Sequence, residues 1–193
     1  LTALRRNLPE EVKITAKIRL LDDLSKTETL LRAIESSGAA ACAVHCRLPT
    51  ELKYQNYPAR WHELDSVKAA ANVKIPLLVN GDLTDQQQLE TFASRYPDLF
   101  DGGMMIARGA MFNPSIFRTA VSLRNRRKWL AKFPNESVEH PECPKVEPLL
   151  EEKAVAVKLM DRCQEVGEIA AAAHYNVRQV LFGRNYRSCD NTY

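Results

Sequence analysis

Four short apolar segments set the terms for this chain. They begin near residues 13, 41, 75 and 102, at spacings of 28, 34 and 27 residues, and each is followed by a stretch of helical periodicity. The segments are residues 13–20 (KITAKIRL), 41–44 (ACAV), 75–79 (IPLLV) and 102–106 (GGMMI). Short strands that alternate with crossover-length helices pair in parallel and are covered on both faces, so the expected class is α/β. The rhythm alone fits an open sheet or a closed barrel. Every polar cluster (Lys17 and Arg19, His45 and Arg47, Asn80 and Asp82, Arg108) falls at the carboxyl end of a strand, where barrel sites are built, and this favours the barrel. Four units make half of an eightfold one.

Helix signals fit the same frame. Residues 1–8 read as the last turns of a helix with Leu1, Leu4 and Leu8 on one face. Ser25 with Glu28 and Thr84 with Gln87 read as capping boxes, Gly38 as a stop, and Asn113-Pro114 as an N-cap with a first-turn proline. Residues 133–148 hold four prolines and many charges and read as a linker. Residues 149–182 carry helical periodicity, with Gly167 as a break and Gly183 as a stop. The expected organisation is residues 1–133 as the second half of a (β/α)8 barrel, 134–148 as linker, and 149–193 as a small all-α tail.

Composition narrows the function. No apolar run approaches the roughly 18 residues needed to span a bilayer, so no membrane partner is expected. Five widely spaced cysteines with no CxxC pair indicate neither a disulfide framework nor a metal site, and suit a reducing, cytoplasmic compartment. The net charge of +3 identifies no partner by itself. Its distribution is uneven: residues 118–135 hold six basic side chains (Arg118, Arg124, Arg126, Arg127, Lys128, Lys132) and no acidic one, and a run rich in glutamate follows. Such a block is a solvated helix face unless a neighbouring site handles a polyanion.

Two loops carry the chemistry. Residues 79–82 (VNGD) and 106–110 (IARGA) put small residues directly after apolar strands, where a backbone can approach a phosphate. Lys17, in a strand expected to be buried on both faces, needs an anionic partner or must reach out to water. His45 is either a satisfied core histidine or a site residue beside Arg47.

These residues resemble the tRNA-dihydrouridine synthases. Residues 14–19 (ITAKIR), 44–47 (VHCR), 78–82 (LVNGD) and above all 104–117 (MMIARGAMFNPSIF) match that family in order and spacing. Ala107-Arg108 and the NPSIF run resemble the eukaryotic branch acting on the uridine at position 20 of the D-loop, as, more faintly, does His174-Tyr175-Asn176. The resemblance implies FMN as cofactor, NADPH as reductant and tRNA as substrate. It places Lys17 and His45 at the isoalloxazine, and Asn80, Gly81, Asp82, Ala107 and Arg108 at the ribityl phosphate. Arg47, Arg124, Arg126, Arg127 and Lys128 are the expected RNA contacts. Cys46 stands where the family has glycine, which would add bulk beside the flavin. The family's catalytic cysteine loop has no counterpart here, so no catalytic residue is assigned. The chain alone is expected to be inactive, to hold FMN weakly and to self-associate through open sheet edges. The competing readings are another FMN barrel of the dihydroorotate dehydrogenase kind, and a non-catalytic RNA-binding remnant.

Overall fold

A computed structural model of the chain describes residues 1–53 and 56–165. Its elements, in chain order, are α1 (Thr2–Asn7), β1 (Thr15–Arg19), α2 (Leu24–Ser36), β2 (Ala41–His45), α3 (Trp61–Ala71), β3 (Leu77–Asn80), α4 (Gln86–Arg95), α5 (Pro97–Gly102), β4 (Met104–Met105), α6 (Arg108–Phe112), α7 (Ile116–Lys132) and α8 (Glu152–Glu165). The four strands form one parallel sheet in the order β1-β2-β3-β4. This is the succession of βα units that half a (β/α)8 barrel requires. The expected tail beyond residue 165, with the motif at residues 174–176, lies outside the described residues.

Burial follows position in the sheet. In central β2, Cys42, Ala43 and Val44 are all buried, as a parallel strand covered on both faces should be. Outer β1 alternates instead, with Thr15 and Lys17 exposed. The expectation of burial on both faces fails there, and with it the argument that Lys17 needs an anion to offset desolvation.

The chain divides into two compact units, one of residues 1–82 with 91–106, the other of residues 83–90 with 107 onward. In the first unit the helices lay Leu31, Ile34, Leu64 and Val67 against the core, joined by Phe92, Leu99 and Phe100. Trp61 meets Phe92 edge to face at 5.0 Å between centroids, an arrangement that contributes about 0.5 to 1.5 kcal/mol beyond area burial.

In the second unit, α7 is bound to the segment that follows it. Arg126 Nε donates to the Pro144 carbonyl at 3.1 Å, and the Glu147 amide donates to Ser122 Oγ at 2.9 Å. Cys143 is buried, and Trp129 lies 5.3 Å from the His140 ring. Residues 134–148 are irregular, as their prolines dictate, but they form a strap along α7 and not a loose tether. Asn113 Nδ2 donates to the Leu150 carbonyl at 2.8 Å, and the Leu150 amide donates to Ser115 Oγ at 2.9 Å, which fixes the approach to α8.

The caps are displaced by one or two residues from the expected ones. Asp23, and not Ser25, caps α2 by accepting from the Ser25 amide at 2.9 Å. At α4, Asp85 Oδ1 accepts from the Gln88 amide while Gln88 Oε1 accepts from the Thr84 amide, a reciprocal box one step beyond Thr84-Gln87. Helix α7 starts at Ile116 with Ser115 as its N-cap; Asn113 Oδ1 accepts from the Ser115 amide just outside the helix.

Candidate active site

Register brings the first group of site residues together. Parallel pairing sets Lys17 beside Ala43, Arg19 beside His45, and His45 beside Asn80. Arg47 and Asp82 each lie two residues beyond the His45/Asn80 pair, so the chains leaving β2 and β3 run abreast. Arg47 is 1% exposed. Its Nη2 donates to both carboxylate oxygens of Asp82, its Nε to the Tyr57 carbonyl, and its Nη1 lies 3.2 Å from His45 Nε2. Asp82 also accepts from the Ala59 amide at 2.7 Å and adopts positive φ (55°). Arg47 was expected to touch RNA. Its guanidinium is buried in this network, with its donors engaged by the Asp82 carboxylate and the Tyr57 carbonyl.

Gly81 permits the close approach. A Cβ there would lie 3.1 Å from Ala59 Cβ and 3.3 Å from the His45 ring, and its φ of 122° disfavours any L side chain. Its carbonyl accepts from Trp61 Nε1 at 3.1 Å. Asn80 is buried, with Nδ2 donating to the Met105 carbonyl at 2.6 Å and its own carbonyl accepting from the Cys46 amide at 2.9 Å.

Charge is concentrated here. Burial, then the charges of Arg19, Arg47 and Lys17, hold the His45 imidazole down to about 4 against a small opposing pull from Asp82. The ring is therefore neutral at physiological pH, and three cations share the strand ends with one carboxylate. Cys46 is fully buried, and burial pushes its thiol up to about 12, as it pushes Cys42 up to about 11. Neither is a thiolate nucleophile. The Cys46 side chain lies in the core.

The loop after β2 is tied down by residues that sequence reasoning passed over. Arg60 pairs with Glu51 and Glu63, Glu51 Oε2 accepts from the Leu48 amide at 2.8 Å, and Arg19 Nη1 donates to the Leu48 carbonyl at 2.8 Å. The Arg60 guanidinium holds the Glu51 carboxyl below its ordinary range. The available signal was a pair of opposite charges, Glu51 and Arg60, bracketing an irregular stretch directly after a strand.

The remaining site residues belong to the second unit. Ala107 is exposed and Arg108, half-buried, opens the five-residue α6. Gly109 admits no side chain: a Cβ would stand 2.6 Å from the Leu83 carbonyl oxygen and 2.9 Å from Ile116 Cδ1. The basic block lies along α7, with Lys128 exposed and Arg124, Arg126 and Arg127 half-buried. Arg118 pairs with Glu147 at 2.9 Å. Among the described residues no group of acidic, histidine or cysteine side chains is arranged to hold a metal, and no helix is long and apolar enough to cross a membrane.

A parallel α/β chain in which His45, Arg47, Asn80 and Asp82 meet at the carboxyl ends of the strands has the architecture in which ligand sites are commonly built from strand-end loops. The family model for dihydrouridine synthases matches residues 1–181, and the chain belongs to that family. It is 32% identical over 104 residues to a tRNA-dihydrouridine(20a/20b) synthase-like protein of Mus musculus, covering 54% of this chain and 30% of the relative. It is 33% identical over 115 residues to the tRNA-dihydrouridine(20a/20b) synthase of Schizosaccharomyces pombe, covering 60% and 33%. With the tRNA-dihydrouridine(20) synthase of Saccharomyces cerevisiae it shares 26% identity over 138 residues, 66% of this chain and 36% of that one. The chain thus spans about a third of the length of these relatives.

Proposed function

We propose that this chain is the second half of the catalytic barrel of a flavin-dependent enzyme that reduces uridine to dihydrouridine in the tRNA D-loop, in the cytoplasm, with NADPH as reductant. The observation that carries the reading is the register that gathers His45 and Asn80 at the strand ends, with the exposed Lys17 ammonium on neighbouring β1 and Gly81 keeping the backbone open beside the His45 ring. That arrangement fits an anionic or electron-rich ligand, and so fits FMN. Bound there, FMN would supply hydride transfer between a nicotinamide and the uracil double bond.

The roles of the chain's own residues follow. Lys17, exposed on the sheet face, places an ammonium where negative charge on a reduced ring would be favoured. His45 contributes a polar contact without charge. By the family resemblance, Asn80, Gly81, Ala107 and Arg108 would hold the ribityl phosphate, Arg108 as a charged fork. Asp82 acts at one remove: its carboxylate anchors Arg47 and the Ala59 amide, and would repel a phosphate if it faced one. Arg124, Arg126, Arg127 and Lys128 meet tRNA phosphates. The general acid is not assigned to any residue of this chain. On its own the chain would hold FMN weakly and self-associate through the outer edges of β1 and β4, which parallel sheets normally cover.

The test is a purified protein of the relatives' full length that carries this chain. Its absorption spectrum should show bound flavin, and incubation with NADPH and unmodified tRNA should yield dihydrouridine detectable by mass spectrometry of the nucleosides. A flavin-free protein that leaves tRNA unchanged would end this reading.

A further inference from the structure

A guanidinium has hydrogen-bond donors and no acceptor, and it stays protonated in proteins. Where Arg47 Nη1 lies 3.2 Å from His45 Nε2, the ring nitrogen must therefore be the acceptor. A neutral imidazole that accepts at Nε2 carries its proton on Nδ1. Arg47 is 1% exposed, and Nη2 and Nε are occupied by the Asp82 carboxylate and the Tyr57 carbonyl, so the guanidinium plane is fixed from two sides. The Gly81 backbone closes in on both groups: a Cβ there would stand 3.3 Å from His45 Cδ2 and 3.5 Å from Arg47 Nη1.

We propose that Arg47, clamped by Asp82, is a positioning residue that locks His45 in the tautomer protonated on Nδ1, so that the ring presents one fixed hydrogen-bond donor to an acceptor atom of the ligand. The proposal deepens the flavin-enzyme reading, on which it relies only for the ligand's identity. The charged groups that act on the ring come from three places: Lys17 and Arg19 on β1, Arg47 after β2 and Asp82 after β3. The three cations oppose a second proton on the ring and Asp82 favours one. Such a ring discriminates by hydrogen-bond polarity: it accepts a carbonyl or phosphoryl oxygen, or an unprotonated ring nitrogen, and rejects an N–H or O–H presented at the same point.

The experiment is long-range nitrogen-proton correlation NMR of the histidine rings, between pH 5 and 8, in a flavin-free preparation of a protein of the relatives' full length that carries this chain, with His45 assigned by comparison with His45→Gln. The expected spectrum shows His45 Nε2 as an unprotonated, pyridine-type nitrogen and Nδ1 as a protonated one across the whole range. Asp82→Asn separates positioning from charge. It removes the one group that raises the ring's proton affinity, so a purely electrostatic role leaves a neutral ring with its tautomer unchanged. Loss of the clamp instead gives a neutral ring whose Nδ1 and Nε2 shifts converge as the tautomers mix. Arg47→Met should mix them further and let the ring titrate nearer the ordinary histidine range. If these variants do not fold, the unmodified protein still decides: a proton on His45 Nε2, or a charged ring at pH 7, overturns the proposal, as does an unmixed tautomer in folded Asp82→Asn. Because no flavin is present, none of these outcomes depends on whether the protein binds FMN.

Discussion

The two units treat positive charge in opposite ways. In the first, Arg47 is buried to 1% exposure and its donors go to Asp82, the Tyr57 carbonyl and His45. In the second, α7 carries a longer basic series whose members are exposed or half-buried, with Arg118 paired to Glu147 and Arg126 donating to a strap carbonyl. Counted along a sequence, both are simply arginines near a proposed site. A buried cation fixes geometry, because removing it strands its partners; a surface cation contributes field, which salt screens within about 10 Å. Arg47 is thus a residue of the fold, while the α7 series is proposed to act through its field.

Each side of that contrast can be broken by substitution. Arg47→Ala should have the largest effect on stability. Removing one partner of a buried pair typically costs about 3 to 5 kcal/mol, and the 21% exposure of the Asp82 side chain argues for about 3. A urea midpoint within error of the parent would show that the pair is dispensable. Gly109→Ala comes next, at about 2 kcal/mol, because the new methyl meets a backbone carbonyl oxygen and cannot be accommodated by a rotamer change. The Arg118–Glu147 pair, with side chains 42% and 54% exposed, should contribute about 0.5 kcal/mol or less in a double-mutant cycle. A coupling above about 1.5 kcal/mol would mean that the strap depends on that pair and that the surface reading of α7 is incomplete.

Much of this architecture was legible in the order of residues. Four apolar segments at βα spacing gave the parallel sheet, and the loop residues Gly81 and Gly109 stand where a close approach requires them. The misreadings have local causes. Asp23 and Ser25 both offer a capping oxygen, and spacing cannot decide that Asp23 accepts from Ser25 and not the reverse. Pattern alone left Lys17 between an anionic partner and a reach to water, because it does not say that β1 lies at the outside of the sheet. The Arg47–Asp82 pair joins residues 35 apart, and it follows from the His45/Asn80 register, which pattern alone does not supply. Given that register, the pair could have been found by counting two residues onward from each partner. The strap was hidden because proline-rich, charged sequence reads the same whether it is solvated or bound to a helix by its carbonyls.

In the proposed enzyme the strand-end residues serve the flavin and the α7 series serves tRNA, and one paired measurement on a protein of the relatives' full length separates the two roles. One variant carries Arg108→Ala with Lys17→Ala; the other neutralises Arg124, Arg126, Arg127 and Lys128. For each, flavin retained through purification and tRNA affinity at several salt concentrations are measured side by side. The account predicts that the first loses most of its flavin while its tRNA affinity changes little. The second should keep its flavin, bind tRNA more weakly, and show a log-affinity slope against log salt flattened by about two to four units, at roughly 0.7 to 0.9 per phosphate contact. Flavin retained by the first variant, or a salt slope in the second equal to that of the parent, would contradict it.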